Sequence, residues 1–256
     1  MFLLFALFIS KAKTLEACPD SSTITTDCDI TGKNYTQVDN LATTFRHFTI
    51  QQPIQIKDSV FHNFKSNEHN VAVLSISGPS TASVLIEACE FNDNTLAFSL
   101  LQISDVQSEI VGSKFAHNQI TGADMIDISS SPNTLRSCSF ISNRVVGGKQ
   151  VTLDTSSYSL ISLHHQATMK IEQCCFLLSN QINSEFAISI DDDSHASISS
   201  NSIFNCDLSR VFKTSDNVIA EKLVTYDPTT LFSHNQCSIL DDNTTTPAPA
   251  DPSEDK

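Results

Sequence analysis

The chain alternates short apolar runs with polar clusters, and its apolar positions recur in a fixed order. In the stretches 86–94, 110–118 and 135–143 (IEACEFNDN, IVGSKFAHN and LRSCSFISN), an aliphatic residue is followed five positions later by Phe and eight positions later by Asn. Segments such as SVLIEACEF and FSLLQIS are short, rich in apolar residues and mostly alternating. This pattern predicts short strands separated by polar turns.

The same order of aliphatic residue, Phe and Asn recurs over most of the chain, and the interval between successive copies varies from 21 to 36 residues. Several short strands in a unit of about 25 residues predict one coil of a parallel β-helix. The longest interval predicts a coil that carries an extra loop of about ten residues. The aliphatic and aromatic anchors are Ile56/Phe61, Ile86/Phe91, Ile110/Phe115, Leu135/Phe140 and Ile171/Phe176, with degenerate copies at Ile198/Ile203 and Ile219/Val224.

Coils of a β-helix stack at the strand spacing of about 4.8 Å, so equivalent residues lie above one another. The offset of five between the aliphatic residue and Phe requires a bend between them. Stacked Asn residues are expected at a second bend, where Asn satisfies turn backbone groups and tolerates left-handed dihedrals. We therefore predict an all-β protein, a single-stranded right-handed parallel β-helix of about 6–8 coils with short caps. Its predicted stack contains Ile86, Cys89, Phe91, Asn94, Ile110, Phe115, Asn118, Leu135, Cys138, Phe140, Asn143, Ile171, Cys174 and Phe176.

The repeat pattern I-x-x-C-x-F-x-x-N resembles the right-handed β-helix repeats of pectin-lyase-like proteins. It is most similar to the Phe-x-x-Asn repeats of polymorphic outer-membrane proteins and similar secreted or surface proteins of parasitic microbes. The resemblance covers about residues 45–230. The Gly-Gly-Ala element that often follows Asn in that family is only approached, at residues 121–123 and 147–149. The resemblance implies the fold and a surface location, but no particular activity, since one fold serves many functions.

Residues 1–17 are interpreted as a signal peptide cleaved near residues 12–17. The apolar run Phe2–Ile9 is too short for a membrane span, which needs about 20 residues, and Ser10 and Ala12 are the small residues that signal peptidase reads. No Lys or Arg precedes the run, and a buried N-terminal strand is the alternative. We predict an N-terminal cap at 18–44, the β-helix at 45–240 and a disordered Thr/Pro/acidic tail at 241–256.

The formal net charge is −14 and the pI is about 4.7. A nucleic-acid partner or an anionic membrane surface needs a basic face, so neither is expected. No membrane span is encoded, and we predict a secreted or extracellular protein, with surface association left open. Asn34 and Asn243 begin N-x-Thr triplets and are predicted glycosylation sites.

Eight cysteines in a chain of this class suggest disulfides. Cys89, Cys138 and Cys174 share one repeat position, so they are predicted to point inward as small apolar residues. Cys138 and Cys174 lie one coil apart and are either bonded or stacked as thiols, of which we favour the thiols. Cap disulfides are predicted for Cys18 with Cys28 and for Cys206 with Cys237, which leaves Cys175 as an outward residue.

The segment ISIDDDSHAS is the best candidate for a site. Asp191, Asp192, Asp193 and His195 follow an alternating strand, and stacked turns would bring Asp105 and Asp154 to the same edge. Asp191 and Asp193 are calcium candidates, and a pair of acids is what glycoside hydrolysis requires. A solvated polar turn is the simpler interpretation. Asp192-Asp193 matches one fragment of pectinase patterns, but Gly-His-Gly is missing, and no cofactor other than calcium is expected.

Adjacent His164 and His165 would point to opposite faces of a regular strand, one packed and one exposed, so they are not expected to bind a metal together. The favoured function is a non-enzymatic β-helix that binds glycans or host or self surfaces, as adhesins do. One alternative is a polysaccharide hydrolase or lyase that uses the acidic turn at 191–193. Another is a purely structural coat or wall module. Carbohydrate or surface protein is the expected partner, and the oligomeric state is not predicted.

Overall fold

The computed structural model describes residues 16–18, 23–26, 28–36, 41–146, 158–178, 185–198, 202–204, 211–214, 224–226 and 231–232. The strands among them stack as a parallel β-solenoid of about six turns, and no helix occurs in these ranges. The predicted all-β class and parallel β-helix are therefore confirmed. The right-handed sense stays a prediction. Residues 1–15 of the predicted signal peptide and the predicted tail lie outside the described residues.

Three main parallel sheets form the walls of the solenoid. Sheet A contains β1 (Glu16–Ala17), β3 (Cys28–Thr31), β6 (Ile54–Lys57), β10 (Ser83–Glu87), β14 (Gln107–Val111), β18 (Pro132–Arg136), β21 (Thr168–Glu172), β24 (His195–Ile198) and β27 (Val224–Tyr226). Sheet B contains β2 (Thr23–Ile24), β5 (Arg46–Ile50), β9 (Leu74–Ser77), β13 (Leu101–Ser104), β17 (Ile126–Ser129), β20 (Tyr158–His164), β23 (Glu185–Ile190) and β26 (Phe212–Thr214).

Sheet C contains β4 (Asn34–Thr36), β7 (Val60–His62), β11 (Glu90–Asn92), β15 (Lys114–Ala116), β19 (Ser139–Val146), β22 (Cys175–Leu178), β25 (Ile203–Phe204) and β28 (Leu231–Phe232). A short extension beside it contains β8 (Lys65–Ser66), β12 (Thr95–Leu96) and β16 (Gln119–Thr121), which joins β19. Each complete coil among the described residues passes from sheet A through sheet C to sheet B and contributes one strand to each wall.

The repeated aliphatic and aromatic residues form two continuous columns inside the solenoid. In sheet A, Ile56, Ile86 and Ile110 pair in register, and the column continues through Leu135, Ile171 and Ile198. In sheet C, six buried Phe rings stack with centroids 4.6–5.0 Å apart and interplanar angles of 2–6°. Because ring stacking follows the strand spacing, an aromatic ring recurs at this position, and Tyr35 stacks on Phe61 in the coil before. The rings are Phe61, Phe91, Phe115, Phe140, Phe176 and Phe204.

A left-handed residue turns each coil from sheet A into sheet C, which confirms the predicted bend. It lies two positions after the aliphatic anchor, with φ between 48° and 63°, at Gly32, Asp58, Ala88, Gly112, Ser137 and Gln173. The second bend differs from the prediction. Its left-handed residue is the one before Asn, at Asp93, His117 and Ser142, whereas the Asn residues themselves are not left-handed.

The Asn residues instead form a buried hydrogen-bonded ladder. Asn118 Nδ2 donates to the Phe91 carbonyl at 2.8 Å and to Asn143 Oδ1 at 2.9 Å. Asn118 Oδ1 accepts from the Asn94 backbone N–H at 3.2 Å and from Asn94 Nδ2 at 2.8 Å. These bonds satisfy backbone groups that the bend removes from the strand ladders, so a buried amide is retained in three successive coils, whereas Phe64 occupies this position in the coil before them.

The position two before Phe forms a second buried column. Ser113 Oγ accepts the Cys89 backbone N–H at 3.1 Å, and the Cys89 thiol donates to carbonyls of its own coil and the preceding one. Cys89, Cys138 and Cys174 are all buried free thiols, so the stacked-thiol alternative for Cys138 and Cys174 is the one observed. The column comprises Ser59, Cys89, Ser113, Cys138, Cys174 and Ser202.

Register at the two ends departs from the predicted repeat. Phe204, not Ile203, stacks on Phe176, because the last coils contain an extra residue between the anchors. Val224 pairs with Ala196 in sheet A, so it belongs to the aliphatic wall rather than the Phe column, and Ile219 lies outside the described residues. The solenoid also begins before residue 45, since β3 and β4 pair in register with the next coil.

Candidate functional site

The acidic segment at 191–193 is a turn that leads from sheet B into sheet A. Asp191 is half-buried, whereas Asp192 and Asp193 are exposed at the turn itself, and His195 begins β24. Asp191 Oδ2 accepts the His165 backbone N–H at 2.7 Å. Asp191 therefore ties its own turn to the turn of the preceding coil, which is a structural use of the carboxylate.

The protonation state of Asp191 does not suit a catalytic acid. Burial opposes ionisation, but hydrogen bonds from Ser194 and from the backbone N–H groups of His165 and Asp193 outweigh it and lower the pKa of Asp191. A glycosidase acid needs a raised pKa to deliver a proton near neutral pH. Asp191 is therefore ionised throughout the physiological range.

The predicted edge of stacked carboxylates does not form in the described residues. Ser129 pairs with His164, so the turns that align with the acidic segment are 104–108, 129–133 and 164–168. Ser130 and His165 intervene between Asp105 and the acidic turn, which places the acids three coils, or about 14 Å, apart. Asp154 lies outside the described residues. The calcium prediction for Asp191 and Asp193 stays a prediction, and among the described residues no three His, Cys, Asp or Glu side chains group as metal ligands.

A polar cluster on the outer face of sheet B was not predicted from the sequence. His164 Nε2 lies 2.7 Å from Ser162 Oγ and 3.6 Å from Asp127 Oδ1. Burial raises the pKa of Asp127, while the positive character of His164 opposes the rise. Both contacts engage the same imidazole nitrogen, so the three side chains do not form a nucleophile–base–acid relay.

The prediction for the two histidines is wrong in one respect. His164 is half-exposed and His165 is exposed, so neither packs inside the solenoid. His165 has a φ of 54°, which ends the strand and cancels the alternation on which the prediction rested.

The outer face of sheet A carries a shallow groove of about 380 Å³ that crosses four successive coils. Gln55, Leu85, Glu109 and Thr134 form one register column along its floor. Three strand spacings separate the first from the last of these residues, a length of about 14 Å. Its other lining side chains include Pro53, Ser83, Gln107 and Pro132.

The charges at this groove are largely paired. Glu109 Oε1 lies 2.6 Å from Arg136 Nη2, and Lys57 Nζ lies 2.8 Å from Glu87 Oε2 beside the groove. Gln107 Nε2 donates to the Ser80 carbonyl at 3.0 Å, which fixes that amide at the rim. The floor therefore presents one amide, one hydroxyl and one neutralised carboxylate, with Leu85 as its apolar surface.

The cysteine and glycosylation predictions fall partly within the described residues. A disulfide joins Cys18 to Cys28 at the N-terminal end. Cys175, expected to be left over from the pairings, is buried and disulfide-bonded to a partner outside the described residues, where Cys206 and Cys237 also lie. Asn34 is exposed on β4, and its Oδ1 lies 2.8 Å from His62 Nε2. Asn243 is outside the described residues.

A comparison of the chain with family models, curated proteins and solved structures gives no match. In the described ranges no helix is long and apolar enough to cross a membrane.

Proposed function

We propose that this protein is a secreted, non-enzymatic β-helix that binds glycans along the outer face of sheet A. The observation that carries the proposal is the groove of about 380 Å³ that runs across four coils. A solenoid repeats its surface groups at one spacing, so a groove along its axis suits a ligand that is itself a repeating chain.

The groove chemistry favours a neutral polyhydroxylated ligand. Gln55 and Thr134 offer an amide and a hydroxyl at opposite ends, and these groups donate and accept hydrogen bonds as sugar hydroxyls require. Glu109 is paired with Arg136, so the floor does not strongly select either a cation or an anion. Leu85 supplies apolar contact for the less polar face of a sugar ring.

Binding without hydrolysis is the better-supported alternative. Asp191 carries a lowered pKa and holds a turn by accepting the His165 backbone N–H, whereas a glycosidase acid needs a raised pKa. A structural coat or wall module is the remaining alternative, and self-association without ligand binding would favour it.

Three further features support a secreted location. Disulfides persist in oxidising compartments, and both Cys18 and Cys175 are disulfide-bonded. The apolar run at residues 2–9 and the two glycosylation triplets are consistent with the same route. A surface protein as partner stays an alternative ligand class.

A glycan array followed by titration calorimetry tests the proposal. We expect binding to neutral oligosaccharides, with affinity that rises with chain length until the ligand spans the distance from Gln55 to Thr134. The double variant Gln55→Ala/Thr134→Ala should reduce affinity about tenfold or more, which corresponds to the loss of hydrogen bonds at both ends. Gln119→Ala, at an exposed position of β16, is the matched control and should bind like the wild type.

The other possible outcomes of these experiments would favour a different function or a different binding surface. A blank array would contradict glycan binding, and self-association in sedimentation would then favour the structural module. Cleavage of any polysaccharide, abolished by Asp191→Asn, would favour the hydrolase. Equal losses in the double variant and in Gln119→Ala would place the binding surface away from the groove.

A further inference from the structure

The register columns of the solenoid change character in its first coil. In sheet B, Arg46 is in register with Leu74, which is fully buried. Beside sheet C, Lys33 occupies the position two before the ring, where the next coil has the buried Ser59. Two cations therefore lie where the following coil places an apolar and a small buried side chain.

Both cations line a cavity of about 190 Å³ at the N-terminal end of the solenoid. Ile30, Tyr35 and Phe48 give it an apolar lining, with Ala17 of β1 and Asp29 of β3 on the sheet A side. The end of a solenoid is polar where it faces water, but a solvated cap needs no cavity. An apolar cavity with a few charged groups is the usual form of a small-molecule site.

The cavity adjoins the first ring of the Phe column. Tyr35 stacks on Phe61 with centroids 5.0 Å apart, and Phe45 meets it edge-on at 5.4 Å. Strand β4, which contains Tyr35, is the terminal strand of sheet C within the described ranges. A planar ring bound in the cavity would therefore extend the column by one member. Aromatic rings with centroids about 4.5–7 Å apart attract each other beyond the area that they bury.

The guanidinium of Arg46 is positioned to bind an anion at this cavity. Its Cζ lies 5.6 Å from the ring centroid of Tyr35 and 5.2 Å from that of Phe45, and such cation–π contacts orient the planar group. A guanidinium presents paired donors that match the two oxygens of a carboxylate. Lys33 adds a second positive charge, and its backbone N–H donates to Ser59 Oγ at 3.3 Å, which ties its position to the next coil.

Charge and size together restrict the class of ligand. Two cations and the single carboxylate of Asp29 leave one net positive charge at the cavity, although the chain as a whole has a formal net charge of −14. A cavity of about 150 Å³ holds one benzene molecule, so this slightly larger one suits a single ring with a small substituent.

We infer that the cavity binds a small aromatic carboxylate, with its ring stacked on Tyr35 and its carboxylate on Arg46 and Lys33. This site lies at the end of the solenoid and has no lining residue in common with the groove on sheet A. The inference therefore goes beyond glycan binding and does not rest on it.

Titration calorimetry of the full-length protein with benzoate tests the site. We expect one benzoate per chain, and benzyl alcohol, which lacks the charge, should bind about tenfold more weakly. Arg46→Gln should weaken benzoate binding about tenfold or more, because it removes the charged paired donors. Lys114→Gln removes an exposed cation of β15 and is the matched control, which should bind like the wild type. No binding by the wild type, or equal losses in the two variants, would overturn the inference.

A second variant covers the case in which Arg46→Gln does not fold. Lys33 is exposed, so Lys33→Gln should keep the fold and still weaken benzoate binding by about threefold or more. Binding unchanged in Lys33→Gln would contradict the assigned position of the carboxylate.

Cyclohexanecarboxylate tests the aromatic part of the assignment, because it has the charge without the planar ring. It should bind about threefold or more weakly than benzoate, since stacking on Tyr35 is lost. Equal affinities would overturn the aromatic class.

NMR of isoleucine δ1-methyl groups locates the ligand. Benzoate should shift the resonance of Ile30, which lines the cavity, and leave those of Ile103 and Ile128, which are buried further along the solenoid. Shifts at the latter two without one at Ile30 would overturn the site. The variant Gln55→Ala/Thr134→Ala should bind benzoate like the wild type, so this test and that of the proposed function fail separately.

Discussion

The two sides of sheet A use the same strands in opposite ways. Its inward column holds Ile or Leu in every coil from Ile56 to Ile198. Its outward column, in register with it, passes through Gln55, Leu85, Glu109, Thr134 and Lys170, with no residue type repeated. One ladder of hydrogen bonds therefore carries a constant face and a variable face.

The difference follows from what each side chain touches. An inward residue contacts its own equivalents above and below, so a change in one coil leaves two neighbours badly packed. An outward residue contacts water and flexible neighbours, and its ion pairs contribute little to stability. The constant face specifies the fold, and the variable face is where a ligand can be recognised.

Replacing one ring of the Phe column should produce the largest loss of stability. Phe115 stacks on Phe91 and Phe140 with centroid distances of 5.0 and 4.9 Å and is fully buried. Phe115→Ala should lower the free energy of unfolding by about 3–5 kcal/mol, measured by urea denaturation. Val111→Ala, at a half-exposed outward position, should change it by less than about 1 kcal/mol. Similar losses in both variants would contradict the comparison.

Breaking the Asn ladder should have the next largest effect. Asn118→Ala leaves the backbone N–H of Asn94 and the carbonyl of Phe91 without their partners inside the solenoid. We expect a loss of roughly 2–4 kcal/mol, since each unsatisfied buried group costs about 1–3 kcal/mol. Asn92→Ala removes an outward amide of the same type and should have little effect. If Asn118→Ala were equally mild, water would have to satisfy the freed groups.

The buried thiols should make stability fall at alkaline pH. Burial raises the pKa of Cys89 from 9.0 to about 11. The unfolded chain therefore loses the thiol proton first, so stability present below pH 9 is lost as the pH rises toward 11. The full effect corresponds to roughly 2–3 kcal/mol.

Cys89→Ser isolates this effect, because Ser occupies the equivalent position in neighbouring coils and does not titrate in that range. The difference in unfolding free energy between wild type and variant should be constant from pH 7 to 8 and shrink or reverse by pH 11. Parallel stability curves over the whole range would show that Cys89 ionises normally in the folded protein.

The inward face was largely predictable from the sequence, because its residues repeat. The spacing of Ile86, Cys89, Phe91 and Asn94 was enough to predict stacked coils, buried thiols and a bend between the anchors. It was not enough to assign the left-handed residue beside Asn, since residues as different as Asp93, His117 and Ser142 occupy that position. The predicted register was wrong where an extra residue separates Ile198 from Phe204. Ile203 and Phe204 are both apolar and adjacent, so the sequence did not show which of them continues the Phe column.

The outward features were largely unpredictable, because their residues do not repeat from coil to coil. The groove residues share no motif, and Gln55 and Thr134 come together only because three coil spacings align them. Asp127 and His164 are 37 positions apart in the sequence and meet across one strand pair. The burial of Cys175 depends on what lies over sheet C, about which a repeat pattern contains no information.

Asp127 offers the smallest and most discriminating test, because it is an outward residue that behaves in part like a buried one. Burial raises its pKa, so the folded state binds the proton more tightly than the unfolded state does. Protonation therefore stabilises the fold, and the ionised carboxylate lowers stability at pH 7. Asp127→Asn removes that charge and should raise the free energy of unfolding at pH 7 by less than about 1 kcal/mol.

The gain should shrink as the pH falls and disappear only well below 3.8, the ordinary pKa of the carboxyl, where it is protonated in both states. Urea denaturation of wild type and Asp127→Asn at pH 3.5, 5 and 7 measures the trend, with exposed Asp93→Asn as the control. A loss of stability at pH 7 would mean that attraction to His164, across 3.6 Å, outweighs burial of the carboxylate. The outer face of sheet B would then hold a stabilising ion pair, and outward residues would contribute to the fold more than the comparison of the two faces of sheet A allows.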